Sequence, residues 1–170
     1  MATAVLVIAE KIFRDEEYQV PKEILNRAGI TVITASTTMG EAIGKLGMKV
    51  KPDIPVKEIR VDVLDALVFI GGGGAEQYFH DPLAHSLAQE AVKKGKIVGA
   101  ICIAPVILAN AGVLNGRKAT VFPDGAERLK KGGAVYVTED VVVDGNIITA
   151  SGPHAAQKFG EELVKLVLKK

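Results

Sequence analysis

Three short runs, "TAVLVIA" (3–9), "DALVFI" (65–70) and "KIVGAI" (96–101), are apolar at nearly every position. A strand with one face in water alternates apolar and polar residues, whereas a strand apolar throughout must be covered on both faces. Such strands belong to parallel sheets sandwiched between helices, because each parallel connection carries the chain back across a face of the sheet. The runs therefore predict an α/β chain with three layers and a mostly parallel central sheet.

The intervening segments fit that plan. "FRDEEYQVPKEILNRAG" (13–29) opens acidic, carries apolar Val20, Ile24, Leu25 and Ala28, and closes on Gly29. It reads as a helix that starts or kinks at Pro21. "ITVITAS" (30–36) is a second strand, and residues 37–60, punctuated by Gly40, Gly44, Gly47, Pro52 and Pro55, form a small hairpin or excursion. Asp81 and Pro82 supply the N-cap and first position of a helix. "APVILANAG" (104–112) is a short helix, "KATVF" (118–122) a strand and "DGAERLKKGG" (124–133) another helix. Asp144-Gly145 turns a hairpin, and residues 154–169 end the chain as a helix with Phe159, Leu163, Leu166 and Val167 on one stripe. With no repeat or linker, the 170 residues are expected to be one domain, 1–170.

Several function classes fall away. The 21 basic and 20 acidic residues leave a net charge of +1, no bulk field for nucleic acid or an anionic membrane. The basic runs "VKKGK" and "RLKKGG" sit at helix ends, where cations complement the dipole. The apolar start is too short for a signal peptide, and no stretch approaches the roughly 18 apolar residues of a membrane span. A lone cysteine forms no internal disulfide, so a cytoplasmic location is expected. His80, His85 and His154 make no zinc-binding spacing, and neither a metal nor a cofactor is expected.

That lone cysteine, Cys102, stands where the run "KIVGAI" meets the helix "APVILANAG". "A-I-C-I-A" fits a nucleophile elbow, a tight strand-to-helix turn whose neighbours two before and two after, here Ala100 and Ala104, must be small. A helix N-terminus there favours thiolate over thiol. A cysteine in apolar surroundings is also an ordinary core residue, and the spacing alone leaves both readings open. The second glycine-rich turn, "IGGGGAE" (70–76), matches neither nucleotide-binding pattern. Its Gly72 and Gly73, with the Ile103 amide, are candidates for an oxyanion hole beside the sulfur.

Together these segments resemble the ThiJ/PfpI superfamily, which shares the class I glutamine amidotransferase-like fold. The likeness rests on "TAVLVIAE", "DEEYQVPKEILNRAGITVITAS", "DALVFIGGGGAEQYFHDP", "KIVGAICIAPVILANAG", "ATVFPDGAERLKKGGAVY" and "VVVDGNIITASGP". It implies a flavodoxin-like sandwich, a homodimer, with Arg27 near its seam, and a functional Cys102. It places Glu17 opposite the cysteine, where burial and like charge should keep the carboxyl protonated and able to donate to sulfur. Asp15 and Glu16 then read as a solvated helix start.

The departures from the family pattern are informative. Ile103 stands where protease-like members have histidine, Phe122 where some deglycase-like members have histidine, and Ser151 where some relatives have an anion-binding arginine. His154 in "SGPHAA" is the candidate that compensates, while His80 reads as a residue before a helix cap and His85 as a surface position. The resemblance implies a cysteine-dependent enzyme acting on reactive carbonyls or glycated adducts. The alternative is a non-enzymatic redox sensor or chaperone oxidised at Cys102; a cysteine peptidase is a weaker one.

Overall fold

The computed structural model describes residues 1–169. Seven strands build the central sheet: β1 (Thr3–Val7), β2 (Thr31–Ser36), β3 (Ile54–Pro55), β4 (Ala66–Phe69), β5 (Ile97–Ile101), β6 (Val141–Asp144) and β7 (Ile147–Ala150). Their order is β6-β7-β5-β4-β1-β2-β3. All neighbours are parallel except the β6-β7 hairpin, which turns through Asp144 and Gly145, with Gly145 at φ +62°. The three apolar runs of the sequence are the three adjacent central strands β5, β4 and β1, buried at every position but Thr3.

Five helices cover the sheet: α1 (Asp15–Arg27), α2 (Pro82–Lys93), α3 (Pro105–Asn110), α4 (Ala126–Lys131) and α5 (Ala156–Leu168). α1 and α5 pack together over β1, β2, β5 and β7, while α2 and α3 pack together on β5 with α4 beyond α3. Gly99 in β5 gives α5 its clearance, since a Cβ there would stand 3.2 Å from the Phe159 ring and 3.3 Å from Ile148. The Asp81 carboxylate accepts the Leu83 amide at 3.0 Å and caps α2 as the sequence predicts.

α1 does not start at Pro21; it runs unbroken through it from Asp15 to Arg27. A proline inside a helix costs about 3 kcal/mol in lost hydrogen bonding and sterics. Packing against α5 offsets it: Gly160 lies so close that a Cβ there would stand 3.1 Å from the Pro21 Cα and 2.9 Å from Ile24 Cδ1. Before α1 the chain forms a short strand, Lys11–Phe13, where the sequence reading already had helix at Phe13. Lys11–Phe13 pairs with Ala42–Gly44, which pairs in turn with Lys49–Val50, so the excursion at 37–60 is a small side sheet plus the edge strand β3. "KATVF" pairs only over Lys118–Ala119, against Val135–Tyr136.

Asp15 is not part of a solvated helix start. It is 7% exposed, and its two carboxylate oxygens accept the amides of Leu46 (3.1 Å) and Met48 (3.0 Å). Gly44 lacks the side chain that would occupy the space of that carboxylate. One acidic residue at the head of α1 therefore pins the tip of the side sheet, including Lys45. Asp15→Ala would leave both amides without their acceptor, a loss of about 1–3 kcal/mol each way such groups are counted. The expected result is a lower urea midpoint, with faster hydrogen exchange at Leu46 and Met48 and unchanged protection in β5.

Candidate active site

Cys102 follows β5 directly and adopts φ +65°. Its N–H donates to the Ala150 carbonyl at 2.8 Å, and its carbonyl accepts the Phe122 N–H at 2.7 Å. These bonds hold a backbone conformation that costs a non-glycine residue about 1–3 kcal/mol. Ala100 and Ala104 are fully buried, and α3 opens at Pro105, so the turn is a nucleophile elbow. The sulfur is only partly buried and can be reached.

Among the described residues one other non-glycine has positive φ, Ile12 at +61°, and it lies beside the same site. The Lys11–Phe13 strand runs against the glycine turn after β4, where Gly72 sits at φ +99°. A Cβ on Gly72 would come within 2.5 Å of both Ile12 O and Arg14 N. Gly71 accepts the Arg14 N–H at 2.9 Å. The turn must therefore be glycine, for close approach as well as for dihedral angle.

Gly71 also makes room for chemistry. A Cβ there would stand 2.5 Å from Glu17 Oε1 and 2.7 Å from Cys102 Cβ. Through that gap the Glu17 carboxyl, in the first turn of α1 and 0% exposed, faces the thiol. Neither carboxyl oxygen reaches full hydrogen-bond geometry, but the Cys102 thiol and the Gly71 amide lie close enough to act on it. Burial pushes the Glu17 carboxyl up to about 7, partly countered by Cys102, the Arg14 charge and the Gly71 amide. Burial likewise pushes the Cys102 thiol up to about 12, with the Glu17 charge next in effect; the Gly72 and Ile103 amides pull it back. An elbow at a helix start leads one to expect a lowered thiol pKa. Here desolvation and a neighbouring carboxylate outweigh the amides. The two acids titrate as a pair: below about 7 both are protonated, and above it they share one proton, carried by carboxyl or by sulfur. The Gly72 and Ile103 amides favour the form with thiolate and protonated Glu17.

The sulfur opens into a cavity of about 260 Å³ lined by Arg14, Lys45, Gly72, Gly73, Cys102, Ile103, Phe122, Asp124 and Pro153. Four predicted residues, Gly72, Gly73, Cys102 and Ile103, thus line one cavity, with Glu17 behind the sulfur. His154 is not among them. It is 61% exposed and bonds Ser151 Oγ and Asp140 Oδ1, each at 3.2 Å and both through Nε2. Two partners on one ring nitrogen do not make a proton relay, which uses both nitrogens. His80 lines a separate cavity, and His85 is not a free surface residue, since its Nε2 lies 2.7 Å from the Phe79 carbonyl. Arg27 pairs with Glu23 at 3.5 Å. Sequence reading missed Arg14, Lys45 and Asp124; the "GGGG" turn after β4 was the signal that another segment packs closely, though not which one. Among the described residues no group of three His, Cys, Asp or Glu side chains is placed to hold a metal ion, and no helix is long and apolar enough to cross a membrane.

Comparison with known proteins agrees with this geometry. Residues 3–166 match the DJ-1/PfpI family. An uncharacterized protein of Methanocaldococcus jannaschii is 43% identical over 99% of this chain and 83% of that protein. A Pyrococcus horikoshii protein named as a deglycase is 36% identical over 96% of this chain and 98% of that protein. The crystal structure of a ThiJ/PfpI domain protein from Brachyspira murdochii superposes with a TM-score of 0.97 at 33% identity, covering 99% of this chain and 97% of that one. Drosophila melanogaster DJ-1beta gives 0.88 at 29% identity, covering 99% and 95%.

Two measurements test the pair. The pH profile of Cys102 alkylation should rise in two steps, one near pH 7 and one far higher, and Glu17→Gln should erase the first. A single step that ignores the substitution overturns the coupling. Stability gives an independent sign. Folding raises the Glu17 pKa from 4.5 to about 7, so its protonated form stabilises the fold below 4.5 and that contribution is lost as pH rises through 7. The shift corresponds to about 3 kcal/mol. Glu17→Gln should therefore gain on the wild type by up to that amount between pH 4 and 8, as read by urea denaturation.

Proposed function

The chain belongs to the DJ-1/PfpI family, and from that premise we propose that it is a cysteine-dependent enzyme acting on reactive carbonyls or glycated adducts. The observation that carries this reading is the Glu17 carboxyl, fully buried and facing a partly buried thiol on an elbow. A structural core has no use for an acid whose pKa is raised into the range where it can both give and take a proton. The names of relatives in Pyrococcus point the same way, being those of deglycases.

In this reading the Cys102 thiolate adds to the aldehyde carbon of a 2-oxoaldehyde. The carbon–sulfur bond forms, and the carbonyl pair moves to oxygen beside the Gly72 and Ile103 amides. Glu17 gives that oxygen its proton. As carboxylate it then takes the proton from the same carbon and passes it to the neighbouring carbonyl oxygen, giving an enediol; the first oxygen then loses its proton and the second carbon gains one, again through Glu17. The aldehyde carbon becomes a thioester while the ketone is reduced to an alcohol, so no external oxidant is needed. Water cleaves the thioester, releasing a 2-hydroxy acid and the thiol. With an early glycated adduct, a hemiaminal, the thiolate displaces the amine from the same carbon while protonated Glu17 gives the departing nitrogen its proton, and the same hemithioacetal results. The enzyme is taken to work as a homodimer in the cytoplasm.

The redox-sensor reading draws on Ile103, which leaves the sulfur without an adjacent histidine base. One experiment separates the two. Methylglyoxal consumption is followed for the wild type, Cys102→Ala and Glu17→Gln, with intact mass recorded after peroxide. The enzyme reading expects turnover abolished by Cys102→Ala and reduced at least about 100-fold by Glu17→Gln, the scale of one general acid–base group. No turnover, with a clean gain of two oxygens on Cys102, favours the sensor.

A further inference from the structure

The cysteine cavity carries more charge than its chemistry uses. Besides Cys102 its lining includes three ionisable side chains, the cations Arg14 and Lys45 and the acid Asp124. Arg14 turns Nε and Nη2 onto Glu16 at 2.9 and 3.0 Å, which leaves Nη1 without a hydrogen-bond partner among the described residues. Its backbone is fixed by the bond to Gly71, and its charge acts on both Glu17 and Cys102. Lys45 is held by its own N–H, which donates to the Phe13 carbonyl at 2.9 Å, and by the Asp15 bonds to the residues after it. Among the described residues no carboxylate lies within ion-pair distance of its ammonium.

We propose that Arg14 and Lys45 form an anion subsite beside Cys102, so that the preferred substrate is a small carbonyl compound bearing a carboxylate or phosphate. The inference rests on Cys102 being the nucleophile, but not on what it turns over. Ser151 stands where some relatives have an anion-binding arginine, which on its own argues against an anionic substrate. The structure supplies two cations from other elements, the head of α1 and the tip of the side sheet. Arg14 provides directional N–H donors that suit planar or tetrahedral oxyanions, and Lys45 a point charge that follows the ligand. The cavity, at about 260 Å³, lies just below the usual range for small-molecule sites. A hydroxy-acid product would meet the same two cations.

The test compares two alkylating agents of nearly equal size, neutral iodoacetamide and anionic iodoacetate. Both react with the same thiolate, so the ratio of their rates cancels any change in thiol ionisation. N-acetylcysteine sets the ratio for a free thiol. The protein's iodoacetate-to-iodoacetamide ratio should exceed that reference about threefold to tenfold at low salt and fall toward it in high salt. Lys45→Gln should lower it about threefold or more, Arg14→Gln likewise, and Asp124→Asn should raise it. Lys45 is solvent-exposed, so its substitution keeps the test valid if the Arg14 variant folds poorly. A wild-type ratio no higher than that of N-acetylcysteine, or one indifferent to Lys45→Gln, overturns the subsite. Because alkylation is read without turnover, that result would leave the carbonyl chemistry standing, and failure of methylglyoxal turnover would leave the subsite standing.

Discussion

A fully buried carboxyl group facing a thiol at the edge of a hydrophobic core is the interaction around which this molecule is arranged. Leaving Glu17 there costs stability whenever it is ionised, so the fold must gain elsewhere to keep it in place. The gain comes from what surrounds it. Tyr18, next along α1, is buried and bonds Thr34 of β2 at 2.6 Å, and Phe13 packs edge-on against the Tyr18 ring. Pro21 and Gly160 bring α1 and α5 into close contact a turn further on. Once α1 is fixed on both flanks, Glu17 has nowhere to point except through the space left by Gly71.

The head of α1 shows how economically the site is put together. Four consecutive residues have four directions, because Arg14 precedes the helix in extended backbone and each step within α1 turns the side chain by about 100°. Arg14 enters the cavity, Asp15 holds the side sheet, Glu16 grips Arg14, and Glu17 meets the thiol. The Lys11–Phe13 strand before it is strained at Ile12, and that strain sets the Arg14 backbone against the glycine turn. The two strained non-glycine residues thus flank one short turn, an arrangement that only the surrounding bonds can maintain.

How much of this the sequence makes legible depends on range. Strand identity was readable from continuous apolar runs, and the elbow from the two alanines around Cys102, because both are local patterns. Pro21 misled, since the cost of a proline inside a helix is visible locally while the compensation from Gly160 lies far along the chain. Asp15 misled for the same reason: an acid at a helix start is normally solvated, and nothing nearby announces that the amides of Leu46 and Met48 will need it. Lys45 and Asp124 were silent altogether. Their place at the cavity follows from the side sheet and the turn after Phe122, which are tertiary facts. His154 was suggested by resemblance, and its position is set instead by Asp140 and Ser151 on the neighbouring hairpin.

The loss of histidine at both familiar places bears on how a proton can move. Ile103 and Phe122 present apolar surface to the cavity, and among the described residues that line it none is a histidine. An exposed carboxylate would be a poor substitute, because a base with a pKa of about 4 holds a proton too weakly to accept one from carbon or sulfur at neutral pH. Desolvation changes that. By raising Glu17 to about 7 it gives a carboxyl the acidity of an imidazole, and it does so with a group that carries negative charge when deprotonated, beside a thiol that resists becoming a second anion. The pair therefore avoids double ionisation and keeps one proton in play, which is the condition a histidine would otherwise supply. The same avoidance explains why cations gather at the mouth. Once thiolate or carboxylate forms, the Arg14 charge acts on both, and Lys45 adds a second cation to the lining of the same cavity.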